Sequence, residues 1–247
     1  MADYPQALAP QGDFEPVPRR VRAVLAGRTV VDTQRARYVW ESPKYPQFYI
    51  PINDIDAAAL VDEHRELKLK RGTAKRYGLR VGDREVAEAV RVYQDGPLAD
   101  HARFEWSALD AWYEEDERIF VHPRNPYARV DALRSTRHVE VRRNGVLLAE
   151  SHSPVLLFET GLPTRYYLDP TDVRFEHLTS SPTQTQCPYK GVTSGYWSTE
   201  DVADIAWTYQ FPLAACAAIA GLISFYNEKV DITVDGVELE RPVTHFS

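Results

Sequence analysis

From Val21 onward the chain alternates short apolar runs with charged residues and breaks them repeatedly with turn signals. VRAVLAG leads through a turn at Gly27-Arg28 into TVVDT and then ARYVWE, the pattern of a hairpin followed by a third strand. The same outline returns as VEVRRNG, VLLAES and PVLLFE, with Asn144-Gly145, a strong tight-hairpin dipeptide, at the turn. Later in the chain IAWTYQF reads as a strand. A short helix is expected over 212–220, stopped by Gly221, and LISFYNEKVDITVDG reads as a closing hairpin. In that hairpin Val230, Ile232 and Val234 alternate with Asp231, Thr233 and Asp235, the period of a half-buried strand. The run AAALVDEHRELKL predicts a helix over 57–69 that the later outline lacks.

The recurrence has a constant spacing. Gly27 and Gly145, Asp32 and Glu150, Trp40 and Phe158, Glu41 and Glu159, Tyr49 and Tyr167, and Asp54 and Asp172 each stand 118 residues apart. Val92-Tyr93-Gln94 then answers Thr208-Tyr209-Gln210, and Gly96-Pro97-Leu98-Ala99 answers Phe211-Pro212-Leu213-Ala214. Ala111-Trp112-Tyr113 is matched in turn with Ser224-Phe225-Tyr226. An ordered series of this kind predicts a tandem duplication. Residues 1–20 read as a flexible, proline-rich lead-in, 21–121 as a first and degenerate β-rich repeat, and 122–247 as a second repeat carrying the site. The period is far too long for a solenoid. Between the repeats, 122–131 holds Pro123 and Pro126 with His122, Arg124, Tyr127 and Arg129. Such a stiff segment is expected to fold back and offer Tyr127 and an arginine, Arg124 or Arg129, to the site.

Composition narrows the partners. A net charge of -7 disfavours a nucleic-acid backbone, and the basic runs at 68–76 and 134–143 read as solvated faces. Two cysteines, Cys187 and Cys216, make neither a disulfide framework nor a four-ligand zinc set. The histidines are scattered and no Cys-x-x-Cys knuckle is present, so no metal and no cofactor is expected. The N-terminus does not resemble a signal peptide, and the apolar run 211–225 is too short to span a bilayer. The expectation is a cytoplasmic protein without membrane contact, its partner a small molecule and its oligomeric state open.

Reactive side chains crowd into 159–196. Glu159, Arg165, Tyr167, Cys187 and Lys190 are the candidates for chemistry, with Tyr166, Tyr189, Trp207 and Tyr209 as ligand-lining aromatics. A carboxylate beside an arginine stays ionised and fixed in orientation. A lysine on a turn can neutralise an anion or, desolvated, act as base or nucleophile. Cys187, followed by proline and near cations, is a candidate nucleophile, while Cys216 in LAACAAIAGLI reads as core. Against these stands a purely structural reading, an ion pair with half-buried sheet tyrosines. Asp54-x-Asp56 has carboxylate-pair spacing but no Gly-Ser phosphate loop ahead of it, which argues against nucleotidyl transfer. An enzyme acting on a small polar or anionic molecule, a ligand-binding or sensing module, and an interaction domain all remain open.

The segments HPRNPYARVD, ETGLPTRYYL, CPYKG, AWTYQFP and FYNEKVDITVDG together resemble domain-of-unknown-function family four-two-seven, sometimes labelled nucleotidyltransferase-like. The likeness is close over 122–236 and degenerate over 21–121. It implies a mainly β protein of two tandem β-tent-like domains, each of small antiparallel sheets with short helices. It also implies an aromatic-lined groove for a small ligand, but no settled reaction. The family pattern falls on Glu159, Arg165, Tyr166, Tyr167, Asp172, Cys187, Tyr189, Lys190, Gly191, Trp207, Tyr209, Phe225 and Tyr226. In the first copy Glu41, Tyr49 and Asp54 persist, whereas Gln47 replaces the arginine and Leu69-Lys70-Arg71-Gly72-Thr73 replaces CPYKG. Glu41 must then be solvated, protonated or paired with a residue from elsewhere.

Overall fold

A computed structural model describes residues 14–244 and 246–247, so positions 1–13 of the expected lead-in lie outside the described residues. The chain divides between Asn125 and Pro126 into two compact units. The first contains β1 (Phe14–Pro16), β2 (Val21–Leu25), β3 (Arg28–Thr33), β4 (Arg37–Val39), β5 (Gln47–Pro51), β6 (Leu60–Leu69), β7 (Gly72–Val81), β8 (Arg84–Tyr93), β9 (His101–Phe104), β10 (Ala111–Glu114) and β11 (Glu117–Ile119). The second contains β12 (Val130–Arg134), β13 (Val139–Arg143), β14 (Val146–Ser151), β15 (Val155–Glu159), β16 (Arg165–Leu168) and β17 (Thr179–Ser181). It continues with β18 (Gln186–Cys187), β19 (Gly191–Val192), β20 (Gly195–Ser198), β21 (Ala206–Thr208), β22 (Ile223–Phe225), β23 (Asp231–Val234) and β24 (Val237–Glu238).

Each unit has a seven-stranded and a four-stranded antiparallel sheet. The orders are β1-β4-β5-β9-β8-β7-β6 with β11-β10-β2-β3, and β12-β15-β16-β22-β21-β20-β17 with β14-β13-β23-β24. Strand for strand these are one topology, with the two-stranded β18–β19 ribbon added in the second unit. Local geometry repeats as well. The hairpins turn on Ala26-Gly27 (φ 47° and 75°) and Asn144-Gly145 (φ 49° and 81°), with both central residues left-handed as a two-residue hairpin demands. The first turn is thus centred one residue before Gly27-Arg28. Each hairpin also carries a register shift, between Ala23 and Val24 and between Val141 and Arg142, again 118 apart. The chain is a mainly β tandem duplication.

Alternation along the strands builds a core between the two sheets of each unit. In the first it gathers Ala23, Val31, Phe48, Ile50, Phe104 and Trp112; in the second, Val141, Ala149, Tyr166, Leu168, Phe225 and Ile232. Each such large side chain contributes about 1.5–3 kcal/mol on burial.

Four sequence expectations change. Part of the expected lead-in is ordered: Phe14–Pro16 forms β1 and pairs with β4. The helix over 57–69 is a single 3-10 turn, Ala57–Ala59, capped by Asp56, whose carboxylate accepts from the Ala58 N–H at 3.1 Å. From Leu60 the chain is β6, paired with β7 from Leu60↔Leu79 to Leu69↔Gly72. Helix propensities differ by only tenths of a kcal/mol per residue, and a long ladder of backbone hydrogen bonds overrides them. The closing hairpin is not one hairpin, because β22 lies in the seven-stranded sheet and β23 in the four-stranded sheet. Strand register consequently answers Ile232 with Trp112, opposite Val141 and Ala23, and the expected match of Trp112 with Phe225 fails. The segment 212–220 holds 3-10 turns over Ala214–Ile219 and no α-helix, and Gly221 follows at φ 73°.

Candidate functional site

Strand β16 separates two environments. Tyr166 and Leu168 point into the core between the sheets, while Arg165 and Tyr167 point to the opposite face of the seven-stranded sheet. Strand register continues that face as a transverse row, Val155, Tyr167, Ser224, Trp207 and Tyr196, one residue from each of five neighbouring strands. Cys216 and Ile219, from the 3-10 segment, pack on it together with Tyr209. The Trp207 indole N–H donates to the Tyr167 hydroxyl at 3.1 Å. In the middle of the row the Ser224 hydroxyl is buried without a hydrogen-bond partner.

At the β15 end of this face lies an ion pair between the Glu159 carboxylate, at the end of β15, and the Lys190 ammonium. Their side chains are only 8% and 10% exposed. Lys190 arrives on the tight turn of the β18–β19 ribbon, and Gly191, at φ 95°, supplies the left-handed residue the turn needs. Two contacts fasten the ribbon: Leu213 N–H donates to the Lys190 carbonyl at 3.1 Å, and the Cys216 thiol donates to the Tyr189 carbonyl at 3.5 Å. Burial alone would lower the Lys190 pKa. Negative charge available at Cys187 and Glu159, backed by the Tyr167 and Tyr209 hydroxyls, outweighs it and holds the ammonium well above its ordinary value. Burial raises the Tyr167 and Tyr209 hydroxyls, so both stay protonated donors.

Arg165 does not pair with Glu159. Its guanidinium forms a fork with Glu228 (Nη1 to Oε2 2.6 Å, Nη2 to Oε1 2.8 Å) and donates to Asn227 Oδ1 at 3.0 Å. The rings of Trp207, Tyr226 and Phe246 surround it at 5.8, 5.7 and 5.6 Å from their centroids. Burial pushes the Glu228 carboxyl up, but the Arg165 hydrogen bonds and charge, with a hydrogen bond from Thr244, hold it below the ordinary carboxylate value. The expected Glu159–Arg165 pair thus resolves into two buried pairs, Glu159–Lys190 and Glu228–Arg165.

The other sequence candidates divide. Tyr167, Trp207 and Tyr209 share the face of the Glu159–Lys190 pair, and Cys187 is half-buried beside it. Tyr189 reaches the site through its carbonyl. Tyr166 lies on the wrong face of β16. Tyr127 is 58% exposed, and the Arg129 side chain turns to solvent and pairs with Asp131 at 2.7 Å, although its backbone bonds Thr160. Arg124 belongs to the first unit, where it and Arg19 hold the buried Glu114. Sequence reading passed over Glu228, Asn227 and Ser224. Glu228 carried a signal, since a buried arginine needs a carboxylate and FYNEK supplies one.

In the first unit Glu41 accepts from the Tyr49 hydroxyl at 2.7 Å and lies 3.6 Å from the Arg103 guanidinium. Of the three alternatives for Glu41, pairing with a distant residue holds. Register places Arg103 opposite Tyr49, as Ser224 stands opposite Tyr167, so the first copy puts an arginine where the second has the partnerless serine. Asp54 is bound by Arg35 and Thr33 and Asp56 by Arg28, which leaves neither as an open magnesium ligand. Among the described residues one histidine–acid group could hold a metal, His138, Glu150 and His152, away from this face.

Fold and site together define a duplicated, two-sheet β protein whose second copy keeps a buried acid–base cluster that the first has rebuilt. The chain belongs to the family described as domain of unknown function (DUF427), which matches residues 13–115 and again 131–236. No curated protein matches the chain significantly.

Proposed function

We propose that the second unit binds a small, polar, uncharged molecule at the Glu159–Lys190 end of its seven-stranded sheet. The observation that carries this reading is the buried Lys190 ammonium. An ammonium has three donors, and among the described residues only Glu159 takes a hydrogen bond from it. Buried donors of this kind are completed by water or by an acceptor on a ligand. The partnerless Ser224 hydroxyl on the same face and the Trp207, Tyr209 and Tyr167 rings suit a compact molecule with a carbonyl-type acceptor. Because Lys190 is offset by Glu159 and Arg165 by Glu228, neither of these two cations is left over for a phosphate or dicarboxylate. That favours a neutral ligand over an anionic one, and with Asp54 and Asp56 tied to arginines it argues against nucleotidyl transfer.

Binding without turnover is the primary reading. Cys187 beside Lys190 motivates a second, in which the sulfur adds to a carbonyl carbon of the bound molecule, the C–S bond forming as the C=O π pair moves to oxygen and the thiol proton ends on that oxygen. A thermal-shift screen of small metabolites on the full chain tests both. A compound recovered unchanged that stabilises the parent, but not the Glu159→Gln/Lys190→Met double variant, supports binding. A covalent mass adduct on Cys187 supports the second reading. Equal stabilisation of parent and double variant, or no stabilising compound, overturns the proposal.

A further inference from the structure

We infer that the outer face of the four-stranded sheet in the second unit is a binding site for one divalent transition-metal ion of the zinc class, held by His138, Glu150 and His152. The site is independent of the cluster described above. It arises from strand pairing: β13 and β14 pair Val139 with Ser151 and Glu140 with Glu150. Val139 and Ser151 are buried, so their neighbours point outward, and stepping one residue along sets His138 opposite His152. Glu150 and His152, at i and i+2, share that outer face. Glu150-x-His152 thus sets a carboxylate and an imidazole side by side, the imidazole one residue past the end of β14.

The donors converge. One ligand atom from each residue lies within 4.8 Å of the other two. The His138 Nε2 and Glu150 Oε1 are 3.0 Å apart, a separation two ligands of one ion adopt at metal–ligand distances of about 2.0–2.2 Å. The imidazoles of His138 and His152 lie parallel, 4.2 Å between centroids and 10° apart. Surrounding groups keep the strand in place without competing. The Asp235 carboxylate accepts from the His138 N–H at 2.9 Å and from Arg137 Nε at 2.7 Å, and Glu140 is occupied by Arg142 at 2.8 Å.

The first copy shows what the same scaffold does without ligands. At positions 118 residues earlier stand Arg20, Asp32 and Gln34. There Arg20 Nε donates to Asp32 Oδ1 at 2.7 Å, so a fixed guanidinium supplies the cation beside the carboxylate. The second copy replaces that cation with two imidazoles, whose ring nitrogens can act as metal ligands. Two imidazole nitrogens with one carboxylate suit Zn²⁺, Co²⁺ or Ni²⁺ and are poor for the all-oxygen preference of Ca²⁺ or Mg²⁺. Partial exposure of the group leaves the remaining coordination position to water.

The test is calorimetric titration of the untagged, chelator-treated full chain with Zn²⁺, paralleled by Co²⁺ absorption. One ion per chain is expected, weakened at least about tenfold by Glu150→Gln and by His152→Ala, with a Co²⁺ spectrum free of thiolate charge transfer. His177→Ala is expected to leave binding unchanged. Melting temperatures of the metal-free variants, all altered at surface positions, verify that the fold persists. Binding weaker than about 1 mM, binding that survives His138→Ala/His152→Ala, thiolate bands in the Co²⁺ spectrum, or half an ion per chain with dimerisation would each overturn the assignment.

Discussion

Arg165→Met separates scaffold from site. In the parent, the Glu228 side chain is buried and answered by a two-point guanidinium fork at 2.6 and 2.8 Å. Removing the arginine leaves the carboxylate with the Thr244 hydroxyl at 2.6 Å as its main partner. Breaking one side of a buried pair costs about 3–5 kcal/mol, and three cation–π contacts vanish with it. The second unit's thermal transition is expected to fall by about 10–20 °C. The pH dependence has a definite sign. Because the folded Glu228 pKa is depressed, its contribution is present above the unfolded carboxylate value and is lost as pH falls through the folded value. Arg165→Met removes that acid-side slope. Adding Glu228→Gln removes the buried charge as well, and the double variant is expected to recover much of the loss, which a double-mutant cycle by calorimetry measures. A single variant within about 1 kcal/mol of the parent would show that the pair does not hold the second unit together. So would a double variant no better than the single.

Further outcomes follow from individual residues. Ser224→Ala deletes a buried hydroxyl with no partner and is expected to raise stability by up to about 1 kcal/mol in urea titration; a loss of that size would mean the hydroxyl is satisfied. His122 stacks on Tyr45 at 3.7 Å, and burial, only partly offset by its bond to the Pro123 carbonyl, lowers its pKa. The unfolded state therefore binds the proton more tightly, and stability declines as pH falls below the unfolded value of about 6.5. His122→Gln should flatten that part of the stability–pH curve. Burial pushes the Cys216 thiol up to about 11, so at pH 8 alkylation followed by peptide mapping should label the half-buried Cys187 well before Cys216. Faster labelling of Cys216 would contradict its burial.

The duplication was legible because its markers are local: paired turns at Gly27 and Gly145, and aromatic and acidic positions whose spacing survives in strands of fixed register. Strand existence followed from alternation for the same reason. What sequence could not supply was pairing across distance. Glu159 stands six residues from Arg165 and Glu228 stands 63, yet strand geometry puts Arg165 and Glu228 together and leaves Glu159 for a lysine on a separate ribbon. Nothing local marks that choice. The helix expected over 57–69 failed because its Leu, Glu and Lys content suits an exposed edge strand as readily once β7 is alongside. The proposed metal group has no local spacing signature, because His138 meets Glu150 and His152 only through the pairing of β13 with β14. Arg129 and Tyr127 carried the right chemistry, but Arg129 turns to Asp131 and Tyr127 is largely exposed.

The central claim is that Lys190, with Glu159 beside it, completes its hydrogen bonds through a small polar ligand. A crystal structure of the chain with the strongest stabilising compound tests it most directly. Ligand density is expected on the Tyr167–Trp207 face, with an acceptor within about 3 Å of the Lys190 ammonium and the Arg165–Glu228 fork intact. A compound bound elsewhere, or one that displaces Glu228 to reach Arg165, would contradict it.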